Sequence, residues 1–386
     1  MTALESLSGD AGGAAVPGRF ALQRTRYRGT DIDGATLSPE GLWVRGRDLN
    51  SLISVVPFEA AVWHLWYGRL PDNEELRAVT SRMQSLALRY GRLNPGAQTA
   101  SAMGSFGVDM VFAAAAGLLC GVDIEESSAA PDADFDLLLA CLVAAPYLMR
   151  AALGLPSLDI EPAASHAERV WRLARDGSGT IETAAAARNV DALLTAWHAG
   201  FGYITPTVLV PRCAIGTGVT LPQAIAAGLM SSGPKHVGAA VEAMSWLETL
   251  PAEEAAIDAC VDAQLDSPGR LLFGFGHPLF VADPRPPYLR ALLAPPQAAG
   301  PRLLQFDAVC RRASLRKGLN PNIDFITAAA LLDADVSRPQ WGVGIALCAR
   351  IAAMAAHAVE RRARPPFGVN SATARRLLAA VPVGWL

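Results

Sequence analysis

LLFGFGHPLFVADPR, residues 271–285, and LNPNIDFITAAALL, residues 319–332, decide how this chain is read. In the first, Gly274 and Gly276 bracket Phe275 immediately before His277, a place where backbone can turn tightly and approach another group. In the second, Asn320, Pro321 and Asn322 are helix-start residues that put Asp324 into a first turn. A third segment, SSGPKHVGAA at 231–240, breaks a helix with Gly233 and Pro234 and leaves His236 at the junction. Taken singly, each titratable residue has a plainer explanation. Asp324 suits a helix N-terminus, His236 could cap or pack, and a lone GxG is weak ground for a phosphate-facing loop.

Working outward, most of the chain after Asn50 repeats apolar residues at helical spacing: Phe58–Trp66, Glu74–Leu88, Val108–Leu119, Phe135–Ala152, His166–Arg175 and Ile181–Ala199. LPDNEEL at 70–76 and LPQA at 221–224 carry helix-start signals. YRGTDIDGATLSPEGLWVRGRDL, 27–49, alternates β-formers with turn residues and predicts short strands or a hairpin. The Pro-dense stretch 282–302 predicts an irregular segment with one short helix. Residues 1–18, small and Gly-rich, predict a flexible leader.

The sequence has 386 residues, long enough for a large core plus a smaller lobe. With 51% hydrophobic and 18% charged residues it predicts a well-packed globular protein. A net charge of −3 and the absence of a basic cluster argue against nucleic acid. Polar interruptions in the Ala-rich stretches argue against a membrane span, and six cysteines without CxxC spacing suit free thiols in the cytoplasm. The scattered His64, His166 and His357 predict packing or surface roles and no metal site.

Together the segments resemble the citrate synthase family. GPKH resembles GPLHGGA, GFGHPLFVADPR resembles GFGHRVYKxxDPR, and PNIDF resembles PNVDF, in the same order and at similar spacing. GLWVRGRDLNSLISVVPFEAAVWHLWYGRLPDNEEL (41–76) looks like the family's strand, RGxxIxxL and first-helix opening; CARIAAMAAHAVERRARPP (348–366) is similar to its ARTxGWIAHxxE helix and ARP. The resemblance implies a mainly α fold with a large helical domain (19–236 and 333–386), a small domain (237–332) and a cleft between them. It implies Asp324, His236 and His277 as catalytic residues. The acceptor would be held by His198, Phe201, Arg285, Arg350 and Arg364, the last reaching the partner's site in a homodimer, and CoA by Gly274, Phe275 and Gly276. The implied reaction condenses acetyl-CoA or another short acyl-CoA with an α-keto acid such as oxaloacetate and releases CoA, with no cofactor beyond the CoA thioester substrate. A citryl-CoA lyase-type cleavage and a non-catalytic ligand-binding relative are the alternatives.

The chain departs from that pattern in NVDALLTAWHAGFGYITPTV, 189–208, which aligns with HADHExNAST. His198 matches the first histidine, but Phe201 stands at the second and Ile204 at the asparagine. Pro278 replaces the arginine that commonly follows the GFGH histidine, and Val237 stands where Gly is frequent. The acid–base trio is complete while the acceptor-facing residues differ, so specificity is expected to have moved and chemistry to remain.

Overall fold

Three short strands open the described chain. β1 (Asp33–Leu37) pairs antiparallel with β2 (Glu40–Val44), which pairs with β3 (Arg47–Asp48), as the turn-rich stretch 27–49 predicts. The computed structural model describes residues 30–37, 39–92, 94–123, 130–176, 182–202, 204–294 and 299–364, with positions 372, 375, 376 and 379. The expected leader, 1–18, lies outside the described residues.

Everything else regular is helical: α1 (Phe58–Tyr67), α2 (Asn73–Arg92), α3 (Pro95–Ser105), α4 (Met110–Gly121), α5 (Ala133–Ala152), α6 (His166–Ala174), α7 (Thr183–Trp197), α8 (Pro206–Ile215), α9 (Leu221–Met230), α10 (Pro234–Val237), α11 (Ala239–Thr249), α12 (Glu254–Asp266), α13 (Arg285–Leu293), α14 (Pro301–Lys317), α15 (Ile323–Asp333) and α16 (Gln340–Arg362). Local chemistry sets many of the starts. The side chains of Asn94, Asp109, Asp132 and Ser165 each accept a first-turn amide proton, and Pro95, Pro206 and Pro301 stand where a missing N–H costs nothing. The Pro-dense stretch gives the single short helix α13, with Pro286 and Pro287 in its first turn.

Two helices form the centre. α5 and α16 are apolar and long enough to cross a membrane, yet both are buried inside the fold. α5 packs against α2, α3, α4 and α16, and α16 packs against α7, α8 and α9. α3 lies tightly against both α4 and α5, because a Cβ on Gly96 would fall 2.1 Å from the Gly117 carbonyl oxygen and one on Gly104 1.9 Å from that of Ala152. Helices α11 to α15 pack chiefly on one another, and α11, α13 and α15 also touch α16 or α7. The cavity described next lies among these contacts.

Candidate active site

The start of α15 is fastened to the FGFGH loop. The Asn322 amide donates to the Gly274 carbonyl (2.8 Å), the Gly276 amide donates to the Asn320 carbonyl (2.9 Å), and Asn322 Nδ2 donates to the Gly276 carbonyl (2.8 Å). Gly274 has φ +78°, and a Cβ there would lie 2.6 Å from Cβ of Phe325. Only glycine suits both the dihedral and the space. These contacts fix the first turn that carries Asp324, whose amide donates to Asn322 Oδ1 (2.9 Å).

His277, Asp324, His236, Arg285, Arg350 and Phe201 all line one cavity of about 380 Å³. Trp197, Ile204, Pro206, Leu279 and Leu347 contribute apolar wall. Elements distant in sequence meet here: α10 brings His236, α13 Arg285, α15 Asp324, α16 Arg350, and the loop after α7 brings Phe201.

Each titratable group is tuned by its surroundings. Loss of hydration raises the Asp324 carboxyl to about 6, against the pull of Arg285. Burial and then Arg285 lower His277 to about 4. Its Nδ1 accepts the amide protons of Leu279 (3.1 Å) and Phe280 (3.3 Å), so the neutral ring carries its proton on Nε2 as a donor. His236, at the exposed side of the cavity, is lowered by partial burial and by Arg350. Arg350 is buried and falls to about 10, through lost hydration and then repulsion from Arg285.

The two guanidinium groups are held differently. Arg285 Nε and Nη2 donate to both oxygens of Asp283 (2.9 and 2.7 Å), and the same carboxylate accepts the Ile323 amide at the head of α15 (3.1 Å). Burial raises the Asp283 carboxyl, but Arg285 and these donors outweigh it and keep it below the ordinary value. Arg350 Nε donates to the Trp197 carbonyl (3.0 Å), and among the described residues no carboxylate is ion-paired with Arg350. A buried cation in that position is matched to an incoming anion.

Phe201 sits between them. Its ring centroid is 5.0 Å from the Arg285 guanidinium carbon, 5.6 Å from that of Arg350 and 5.6 Å from the His277 ring. The residue has φ +61°, unusual for anything but glycine, asparagine or aspartate. It is held there from outside the cavity: the Gly200 and Gly202 amides donate to the two oxygens of Asp33 on β1, 2.6 Å each. His357 on α16 donates from Nε2 to Asp33 Oδ1 (3.0 Å), its Nδ1 accepting from Arg212 (3.2 Å).

Five expected site residues are not among those lining the cavity. His198 is fully buried; its Nδ1 donates to the Thr195 carbonyl (2.5 Å), and burial lowers it to about 4. Gly274, Phe275 and Gly276 form the underside of the clasp that seats α15, with the Gly276 amide engaged by the Asn320 carbonyl. Arg364 is exposed just beyond α16, its amide donating to the Arg361 carbonyl (3.0 Å). His357 is buried in the Asp33 network, and His64 and His166 are buried as well.

Sequence reading missed three contributors. Asp283 lies in the quoted DPR, and its spacing two residues before Arg285 was a signal for the bidentate pair. Trp197 and Asp33 carried none: one looked like core and the other like a turn residue.

The sequence model of the family described as "Citrate synthase, C-terminal domain" matches residues 22–366. Citrate synthase from Pyrobaculum aerophilum is 20% identical with a TM-score of 0.69, covering 86% of this chain and 86% of its own. Citrate synthase from Thermotoga maritima MSB8 is 19% identical (TM-score 0.65; 86% and 88% covered). The citrate synthase of Thermoplasma acidophilum, solved as a ternary complex with carboxymethyl coenzyme A and oxaloacetate, is 17% identical (TM-score 0.71; 88% and 91% covered).

Proposed function

Because the chain belongs to the citrate synthase family, we propose that it condenses a short acyl-CoA, such as acetyl- or propionyl-CoA, with a 2-oxo acid and releases CoA by hydrolysing the thioester. The reading rests on one observation: a carboxylate raised to about 6, two histidines and a buried guanidinium with no carboxylate partner among the described residues line a single cavity.

Asp324 is the base. At neutral pH it is mostly ionised, yet its raised pKa makes it a stronger proton acceptor than an exposed carboxylate. It takes a proton from the carbon beside the thioester carbonyl, and the C–H electron pair moves to the carbonyl oxygen as an enolate. His236 donates a hydrogen bond to that oxygen. His277, neutral with its proton on Nε2, polarises the keto carbonyl of the acceptor. The enolate carbon attacks the keto carbon, a carbon–carbon bond forms, and the acceptor oxygen, hydrogen-bonded by His277 Nε2–H, is protonated at the expense of the proton now on Asp324, so that His277 and Asp324 both return to their starting states. Water then cleaves the thioester.

Arg350, with Arg285 held in register by Asp283, receives carboxylate. We further place Arg364 in the partner's cavity of a homodimer, and 237–332 as a smaller lobe facing the remainder across the cleft.

The test is a thiol assay with acetyl- and propionyl-CoA against a panel of 2-oxo acids including oxaloacetate. Free CoA is expected with at least one pair, falling about 10³-fold in Asp324→Asn. Acetyl-CoA appearing from a citryl thioester without free CoA would instead assign a lyase. CoA binding without turnover by any pair would assign a binding protein.

A further inference from the structure

We infer that the acceptor accommodated here carries a hydrocarbon group on its keto carbon in place of a second carboxylate, and that Phe201 makes this choice. The inference rests on the reading of the cavity as a condensing site for 2-oxo acids, and it names the class of acceptor.

Arg285, Arg350 and His277, the three polar groups that would receive the acceptor, share one neighbour, the phenyl ring at 5.0, 5.6 and 5.6 Å. A part of the ligand that lies between these groups and is neither carboxylate nor keto oxygen therefore meets the phenyl ring. Ile204, Pro206, Leu279 and Leu347 extend the same apolar wall. The ring cannot easily yield, because the amides on both sides of it donate to the buried Asp33, which His357 holds from behind.

Charge points the same way. Arg285 and Arg350 line the cavity of one chain with the ionised Asp324, and Arg285 is already matched by its ion pair with Asp283, which leaves Arg350 as the cation for an acceptor carboxylate. Arg350 has room for one carboxylate as partner. A second one beside the phenyl ring and Ile204 would lose hydration, and among the described residues of one chain no guanidinium or ammonium besides Arg285 and Arg350 lines the cavity to replace it. A methylene in that place gains about fourfold in affinity through burial.

Calorimetric titration of the full-length protein with pyruvate, 2-oxobutanoate, 2-oxopentanoate and freshly dissolved oxaloacetate tests this, with thiol release followed in parallel. Affinity is expected to rise about fourfold per methylene along the monocarboxylate series and to leave oxaloacetate at least about tenfold weaker than 2-oxopentanoate. Phe201→His, which puts a hydrogen-bonding ring in the same place, is expected to weaken 2-oxopentanoate and to favour oxaloacetate. Oxaloacetate binding the wild type as tightly as 2-oxopentanoate overturns the inference, as does an unchanged order in a folded Phe201→His protein. Should that variant not fold, the wild-type series decides alone. Discrimination in binding without thiol release removes the condensation and leaves the acceptor class standing. Thiol release that favours oxaloacetate does the reverse, and binding of none of the four acids removes both.

Discussion

Asp324 works as a carboxylate in surroundings that resist ionisation, and this has opposite consequences for rate and for stability. As the base it acts only when ionised, so turnover should rise with pH through about 6 and level off above it, as a pH–rate profile would show. Stability runs the other way. Below pH 4 the folded and unfolded forms both keep the proton. Between the ordinary 3.8 and about 6 the unfolded chain loses it first, so folding weakens as pH rises, by at most about 3 kcal/mol. Asp324→Asn should therefore be inactive yet melt higher than wild type at pH 8, and the difference should vanish as the pH falls below 3.8. Asp33 has the opposite sign. Burial raises it, but His357 and the two amides outweigh burial and hold it below the ordinary 3.8. Its contribution is full above that value and is lost as pH falls through the folded one. Asp33→Asn should cost about 3 kcal/mol in denaturant unfolding at pH 7. At this scale the sequence spoke clearly where glycine and proline flanked a titratable residue, as at His277 and Asp324. It was silent at Asp33, whose partners lie more than 160 residues away.

Among elements, the clasp between 274–276 and 320–322 governs how α15 presents its first turn. Gly274→Ala would force both the left-handed dihedral and a clash with Phe325, costing about 2 kcal/mol by thermal melting and lowering kcat through displacement of Asp324. If turnover stays at wild-type level while the melt shifts, the clasp does not position the base. Long amphipathic helices were legible: α1, α2, α5, α6 and α7 lie close to the spans read from periodicity. α3, with the sequence PGAQTASAMGS, was not among them. It has few large apolar residues to repeat, and it is defined by backbone contact with α4, which small residues permit and periodicity does not record. The glycines of FGFGH were legible as special; that they clasp residues 320–322 was not, because a tight turn packed on another loop looks like any other tight turn in sequence.

For the molecule as a whole, the family resemblance gave the mainly helical architecture, whose repeated motifs are short but ordered along the chain. The proposed homodimer leads to a further prediction. If Arg364 completes the neighbouring site, Arg364→Ala and Asp324→Asn should each be nearly inactive, and mixtures unfolded and refolded together should recover about a quarter of wild-type activity. Each mixed dimer would then own one intact site. No recovery, in a preparation shown by native mass spectrometry to contain mixed dimers, would place Arg364 outside the reaction. A different consequence follows from the triangle of Asp33, the loop around Phe201, and His357 near the end of α16. A ribosome makes these three parts far apart in time. Until α16 has emerged and docked, Asp33 lacks its imidazole and Arg350 is missing from the cavity. A nascent chain bearing all the earlier segments would thus hold an unfinished pocket, and capacity to bind an acceptor should arrive in one step, late in synthesis.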